Sequence, residues 1–305
     1  KMADKYGRFT SNGDWSDTNN WSSTRYGATG AGAPSSNDVV YLLDPPQFAI
    51  TSGLSQGAVD LNGMTIGPDW NGQLGAPGSP LTIAVSGTSG ATLSISGSGS
   101  VYITAGTNGV DIAKLQCRGA GKVWLTGGTF AQVENRSGDN EAASGCTITT
   151  LYDVGGFMAK AGVTLTTVFN TGKFLSEVNI TTLHNDGTAR VINAATITTL
   201  NNRGDYTHQS SGTITAANCY PGSISKALAP FTVTTLNEWF GSQAFREQGV
   251  TVTVGTRYPL SVLKCSAVCV FHSTPSIVLR LKFVTVGPVL PGPCHSNLFS
   301  VHTVI

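Results

Sequence analysis

The chain has 305 residues, 40% of them hydrophobic and 11% charged, with a formal net charge of +1. That balance offers nucleic acid no basic surface, and the apolar share supports a packed core rather than a disordered segment. Gly is abundant at 37 residues, and Ser, Thr and Asn are plentiful, so the composition is turn-rich and β-rich. The opening "KMADKYGRFT" has no apolar run, and no uncharged apolar window of about 18 residues occurs. Neither a Sec signal peptide nor a membrane span is therefore expected. On that reading the six cysteines are reduced.

Residues 1–60 read as an N-terminal Trp-rich cap and attachment region. The stretch "GDWSDTNNWSSTRYGATGAGAPSSNDVVYLLD" contains Trp15, Trp21, a small-residue loop at 27–33, Pro34 and a strand starting at Asp38. With the opening "MADKYG" it resembles the start of many bacteriophage virion proteins. There a Tyr is followed by a G-x-W…N-W segment, a Gly/Ala-rich loop, a Pro and a D-x-V strand. The chain departs where that pattern usually has a Trp-Val-Gly-Gly run, carrying Gly7, Arg8, Phe9 and Thr10 instead. The resemblance is confined to about the first 60 residues, and many bacterial surface proteins share the same W…NW…P…D-V-V grammar. On chemistry alone, the two indoles form a hydrophobic plug over one end of a β domain.

Residues 61–255 carry a repeat. "PLTIAVSG", "ATLSISGSG" and "SVYITAG" alternate in the manner of strands. A phrase typified by "NITTLHNDG" (179–187) then recurs, beginning at Ile112, Phe130, Ile148, Leu165, Ile180, Ile197, Ile214, Val233 and Val250. Successive starts are 18, 18, 17, 15, 17, 17, 19 and 17 residues apart. A second apolar residue follows three positions on (Leu115, Val133, Leu151, Val168, Leu183, Leu200, Ala217, Leu236). Five positions on come Asn135, Asp153, Asn170, Asn185 and Asn202, and seven on come Gly119, Gly155, Gly172, Gly187 and Gly204. A period of about 17 is too short for a helix-bearing repeat, and the Thr-Thr centre favours strand. Asn and Gly would supply positive-φ corners. The fold class this predicts is all-β: a parallel β-helix, a solenoid of ~17-residue coils with an Asn/Asp ladder stacked inside. A β-sandwich of meandering strands is the rival architecture.

Residues 256–305 break the pattern, with four basic residues, no acid and only Gly287 and Gly292. They read as a distinct C-terminal β segment or arm, suited to oligomerisation.

Candidates for chemistry are few. Glu134 and Asp153 fall on adjacent coils, but Glu134 aligns with Tyr152, so a paired-carboxylate site is not expected. Cys265, Cys269, His272, Cys294 and His295 lack common zinc spacing. His184 and His208 are expected to be solvated. No nucleophile-elbow, P-loop or dinucleotide motif is present. The expected function is therefore structural, with no catalytic residue, cofactor or metal.

The resemblance implies a virion protein assembled in the host cytoplasm, and most simply a capsid decoration or cement protein. It further implies a homotrimer bound to the major capsid protein, with no nucleic-acid or membrane partner. Trp15 and Trp21 would lie in or beneath the capsid contact. A tail fibre or tailspike that binds or cleaves host glycan is the alternative, and a secreted bacterial adhesin a third.

Overall fold

The computed structural model describes residues 2–87, 90–106, 111–247 and 250–260, with two short strands at 266–269 and 279–282. Apart from one 3₁₀ turn at Thr18–Asn20, the described regular structure is all strand. The architecture is a parallel β-solenoid. Each regular coil holds two strands and two corners. The first strand carries the repeated phrase, as in Thr164–Asn170, Ile180–Asn185 and Ile197–Asn202. The second is the shorter Lys173–Ser176, Thr188–Asn193 or Asp205–Ser210. Each strand pairs in parallel with its counterpart one coil away, as Leu165 with Ile180 and Lys173 with Thr188.

The register follows the repeat. Ile112, Phe130, Ile148, Leu165, Ile180, Ile197, Ile214 and Val233 form one continuous row. The row ends at Val254, not Val250, because the last step is 21 residues long. All eight of those earlier side chains are buried. The three-residue offset between buried positions also has a cause, since flat strands alternate every two residues. Thr166 and Thr181 are exposed, and they are skipped in a register that pairs Leu165 with Ile180 and Thr167 with Thr182. The strand bends there, so both Thr face out while Leu165 and Val168 face in.

Stacking starts earlier than residue 61. Val39–Leu42 already pairs in parallel with Gly63–Ile66, so the first coil lies inside the predicted cap region. These early coils are longer: 24 residues separate Val40 from Met64, 29 separate Met64 from Leu93 and 22 separate Leu93 from Leu115. At the other end, Val252–Leu260 stacks on Phe231–Trp239, which carries the solenoid to residue 260. Ser266–Cys269 and Leu279–Lys282 form a separate antiparallel pair. The predicted contact role of the remaining C-terminal residues, and the residues Cys265, His272, Cys294 and His295, lie outside the described residues.

The corner glycines are needed for a different reason than positive φ. Gly119, Gly155, Gly172, Gly187 and Gly204 are not among the positive-φ residues. They sit where one coil lies hard against the previous one. A Cβ on Gly172 would lie 2.2 Å from Gly155 O, and one on Gly187 would lie 2.4 Å from Gly172 O. Close backbone approach, not left-handed backbone, excludes every other residue here.

Gly187→Ala should therefore lower unfolding stability by roughly 2 kcal/mol or more. Gly63→Ala, whose Cβ would meet only ordinary contacts at 3.7 and 3.8 Å, should change it by less than about 0.5 kcal/mol. Denaturant midpoints of the two variants check this.

Candidate functional site

The phrase places one row of polar side chains inside the solenoid. Asn135, Asp153, Asn170, Asn185 and Asn202 are stacked in register and buried. Asn135 Nδ2 donates to Asp153 Oδ1 at 2.7 Å, Asn170 Nδ2 to Asn185 Oδ1 at 2.7 Å, and Asn185 Nδ2 to Asn202 Oδ1 at 2.8 Å. Each amide also ties down the start of a second strand. Asn135 reaches Gly156 O, Asn170 reaches Thr188 O and Asn185 reaches Asp205 O, at 2.8, 3.0 and 3.0 Å. The ladder thus satisfies a corner whose carbonyls would otherwise be buried unpaired. Next to the ladder the same row is apolar or thiol: Leu42, Ile66, Ile95 and Cys117 precede it and Cys219 follows it, before the half-buried Glu238 one coil further on. Cys117, Cys146 and Cys219 are free and buried.

The residue before each ladder position faces outward, and this row carries the surface chemistry. In order it reads Glu134, Tyr152, Phe169, His184, Asn201, Asn218 and Asn237. Tyr152 stacks on Phe169 at 5.0 Å and Phe169 on His184 at 4.6 Å, with near-parallel rings. Asn237 Nδ2 then donates to Asn218 Oδ1 at 2.7 Å, and Asn218 Nδ2 to Asn201 Oδ1 at 2.8 Å. This second, outer amide ladder was legible in the sequence at one position before the inner one. The pattern is hidden there because three of the seven positions carry rings and a fourth is Glu134.

Glu134 and Asp153 cannot act as a pair. They point to opposite sides of the sheet, because they differ by one place in the phrase. Glu134 is held by Lys114 at 2.5 Å and Arg136 at 3.0 Å, and by the amides of Gln116 and Gln132 at 3.0 and 2.8 Å. Burial pushes its carboxyl up, but the hydrogen bonds from Lys114 and Arg136 outweigh that and leave it below its ordinary range. Such a saturated carboxylate is a structural anion. Beside this row, the stacked glycine corners leave a shallow groove of about 530 Å³ with Asp139 and Lys173 among its lining residues. Among the described residues, no group of three His, Cys, Asp or Glu is placed to hold a metal ion. No helix there is long and apolar enough to cross a membrane.

The two histidines differ. His184 faces outward as expected, while His208 is fully buried, contrary to the solvation expected of it. It lies in a second strand whose inward positions are Tyr206, His208 and Ser210. Its Nδ1 is 2.6 Å from the Tyr206 hydroxyl and its Nε2 is 3.2 Å from Gly212 O. A neutral ring fits both partners: Tyr206 donates to Nδ1 and Nε2–H donates to the carbonyl. Phe231 packs on it at 4.1 Å. Burial pushes its pKa down to about 4.

At the N-terminal end, Trp15 and Trp21 are both fully buried, so neither indole can touch a partner while the cap is folded. They meet edge to face at 4.7 Å, Phe9 packs on Trp21 at 5.3 Å, and Trp21 Nε1 donates to Trp15 O at 2.7 Å. Tyr26 and Phe48 are the large side chains this region exposes along with Met2.

No protein-family model, no curated protein and no solved structure matches the chain. What the geometry defines is an all-β protein of the parallel β-solenoid class.

Asn185→Leu should cost roughly 1–3 kcal/mol, since Asn170 Nδ2 and Asp205 O each lose a buried partner, whereas His184→Ala should cost less than about 1 kcal/mol. Equal losses in a denaturant melt would contradict the inward and outward assignment. His208 supplies a pH test. Its folded pKa lies below the ordinary value of 6.5. Its contribution is therefore full above about pH 6.5 and is lost as pH falls toward 4, on the order of 3 kcal/mol. His208→Gln should flatten that acid limb in thermal melts run from pH 4 to 7.

Proposed function

We propose that this chain is a structural virion protein, a decoration or cement subunit that binds the outside of a phage head. The observation that carries the reading is the cap. The residues that resemble phage virion proteins form one interlocked unit. Asp38 is buried and accepts from Ala3 N at 3.1 Å, Ser35 N at 3.0 Å and Ser35 Oγ at 2.9 Å. It thereby ties the "MADKYG" opening to the start of the D-x-V strand. Tyr6 stacks on Tyr41 at 4.8 Å, and Asp4–Gly7 pairs in parallel with Val39–Leu42. The motif is thus a module that seals one end of a stiff stack, which suits attachment at that end and extension of the solenoid away from it.

A second reading, a tail fibre or tailspike that contacts host glycan, is favoured by one feature. The outer row sets the aromatic Tyr152, Phe169 and His184 beside the amides Asn201, Asn218 and Asn237. Aromatic rings and amides together are a frequent surface for sugars.

Tyr26→Ser combined with Phe48→Ser separates the readings. It should weaken binding to particles stripped of the protein at least tenfold while leaving the melting curve unchanged. Binding should also change little between low and moderate salt, because few charges are available to be screened. Retained particle binding together with loss of glycan binding on Phe169→Ala would instead support the second reading. Release of oligosaccharide from host polysaccharide would overturn the structural assignment.

A further inference from the structure

The inner ladder has a direction, and one rung interrupts it. Reading along the row, each amide passes a hydrogen bond forward. Asn140, from the second strand Asp139–Ala142 of the same coil, donates through Nδ2 to Asn135 Oδ1 at 2.6 Å, and Asn135 Nδ2 donates to Asp153 Oδ1 at 2.7 Å. Beyond the interruption, Asn170 donates to Asn185, Asn185 to Asn202, and Asn202 Nδ2 to Ser225 Oγ at 3.0 Å. Both N–H groups of Asn170 are used, one on Asn185 Oδ1 and one on Thr188 O. Toward Asp153 it can therefore offer only Oδ1, which also accepts from Gly172 N at 3.0 Å. Asp153 is its register neighbour, is 1% exposed, and has an Oδ2 that is buried without a partner. An ionised carboxylate has nothing to donate. Two acceptors would then face each other in a dry interior, where an unpaired polar atom is costly and an unpaired charge more so.

We propose that Asp153 holds a proton in the folded protein through the mildly acidic range, that its Oδ2–H donates to Asn170 Oδ1, and that this rung makes the solenoid's stability respond to pH. The proton restores the forward polarity and joins the two halves into one chain of hydrogen bonds from Asn140 to Ser225. An Asn at this position would do the same at every pH, as it does in the following rungs. Aspartate alone makes the joint titratable.

The surroundings agree. Burial pushes the Asp153 carboxyl up to about 7, and the nearby Asp139 adds to this. The donors Asn135 and Gly155 N pull it partly back. The other charged groups on the packed elements do not compensate it. Glu134 faces the opposite side of its sheet with Lys114 and Arg136. Glu141 faces outward between Lys122 and Lys160. Lys173, at the start of a second strand, is exposed. The strand Thr164–Asn170 carries no titratable group.

The direction of the effect follows from linkage. The folded pKa lies above the ordinary value of 3.8, so the folded state binds more protons than the unfolded one. Stability from this rung is full below about pH 4, falls as pH rises toward 7, and stays at the lower level above that. His208 acts in the opposite sense over much of the same window, so the wild-type curve alone would blur the two. The comparison between wild type and Asp153→Asn removes His208, which is common to both.

The experiment is equilibrium denaturation of the full chain and of Asp153→Asn from pH 4 to 8. Near pH 4 the two midpoints should coincide. By pH 8 the variant should be the more stable, its unfolding constant lower by two to three orders of magnitude. A difference that does not vary with pH, or a variant that is weaker at pH 8, overturns the proposal. Infrared spectra of the folded wild type give an independent reading. A protonated-carboxyl stretch should be present at pH 5.5 and absent from the variant, and its absence from the wild type also overturns the proposal.

Discussion

Parallel pairing in fixed register between successive coils is the constraint on which everything else rests. Once Leu165 pairs with Ile180 and Ile180 with Ile197, every other position in the coil is matched to its like one turn away. Each side chain then meets mainly its counterparts above and below, spaced by the inter-strand distance of about 4.8 Å. Identical or similar groups must therefore be good neighbours to each other. Amides, flat rings, aliphatic chains and bare glycine backbones meet that condition, and the structure sorts them into separate rows. Tyr102 on Trp124 at 4.3 Å and Tyr220 on Trp239 at 4.5 Å are further cases. A stacked row of like charges would not meet it, which accords with a chain that is only 11% charged.

The same constraint shapes the buried polar groups. A solenoid interior is narrow and apolar, so a polar side chain inside it must find its partner along the axis or at a corner. The inner amides do both, since each bonds forward to the next rung and sideways to a second-strand carbonyl. Where the row changes character, the partners change with it. Cys117 and Cys219 flank the ladder, and burial pushes their thiols up to about 12 and about 11. Thiols so placed are packing groups rather than nucleophiles. Asp153 and His208 are two titratable groups inside the solenoid, and burial moves the first up and the second down from its ordinary value. Both are buried where charge is disfavoured, with opposite consequences for stability.

The outer surface is divided. One end is closed by an aromatic plug and a buried aspartate knot. The lateral face carries the ring-and-amide row and the glycine-walled groove. The cap and the lateral face are therefore separate surfaces of the solenoid. Half of the groove's lining residues are glycines, with one carboxylate, Asp139, and one ammonium, Lys173.

The repeat by itself determined the solenoid, the length of its regular coils and its interior row of Asn and Asp, and the loss of the repeat marked both ends as distinct. A period near 17 with two apolar positions is a local property, and neighbouring coils only repeat it. Tertiary structure decided what depended on the third dimension. The spacing of Ile180 and Leu183 does not announce a bend between them, because the bend exists only once both must face one interior. Gly187 looked like a left-handed corner, but its reason is a carbonyl one coil away. His208 looked solvated because the second strand has no shared phrase to mark its inward side, and burial there is set by what the first strand leaves uncovered. The two indoles carried a resemblance to attachment regions, yet the end of an open stack takes the largest apolar groups as its cover. Sequence fixes rows that neighbours repeat, whereas depth, direction and proximity arise only when coils close around a common core.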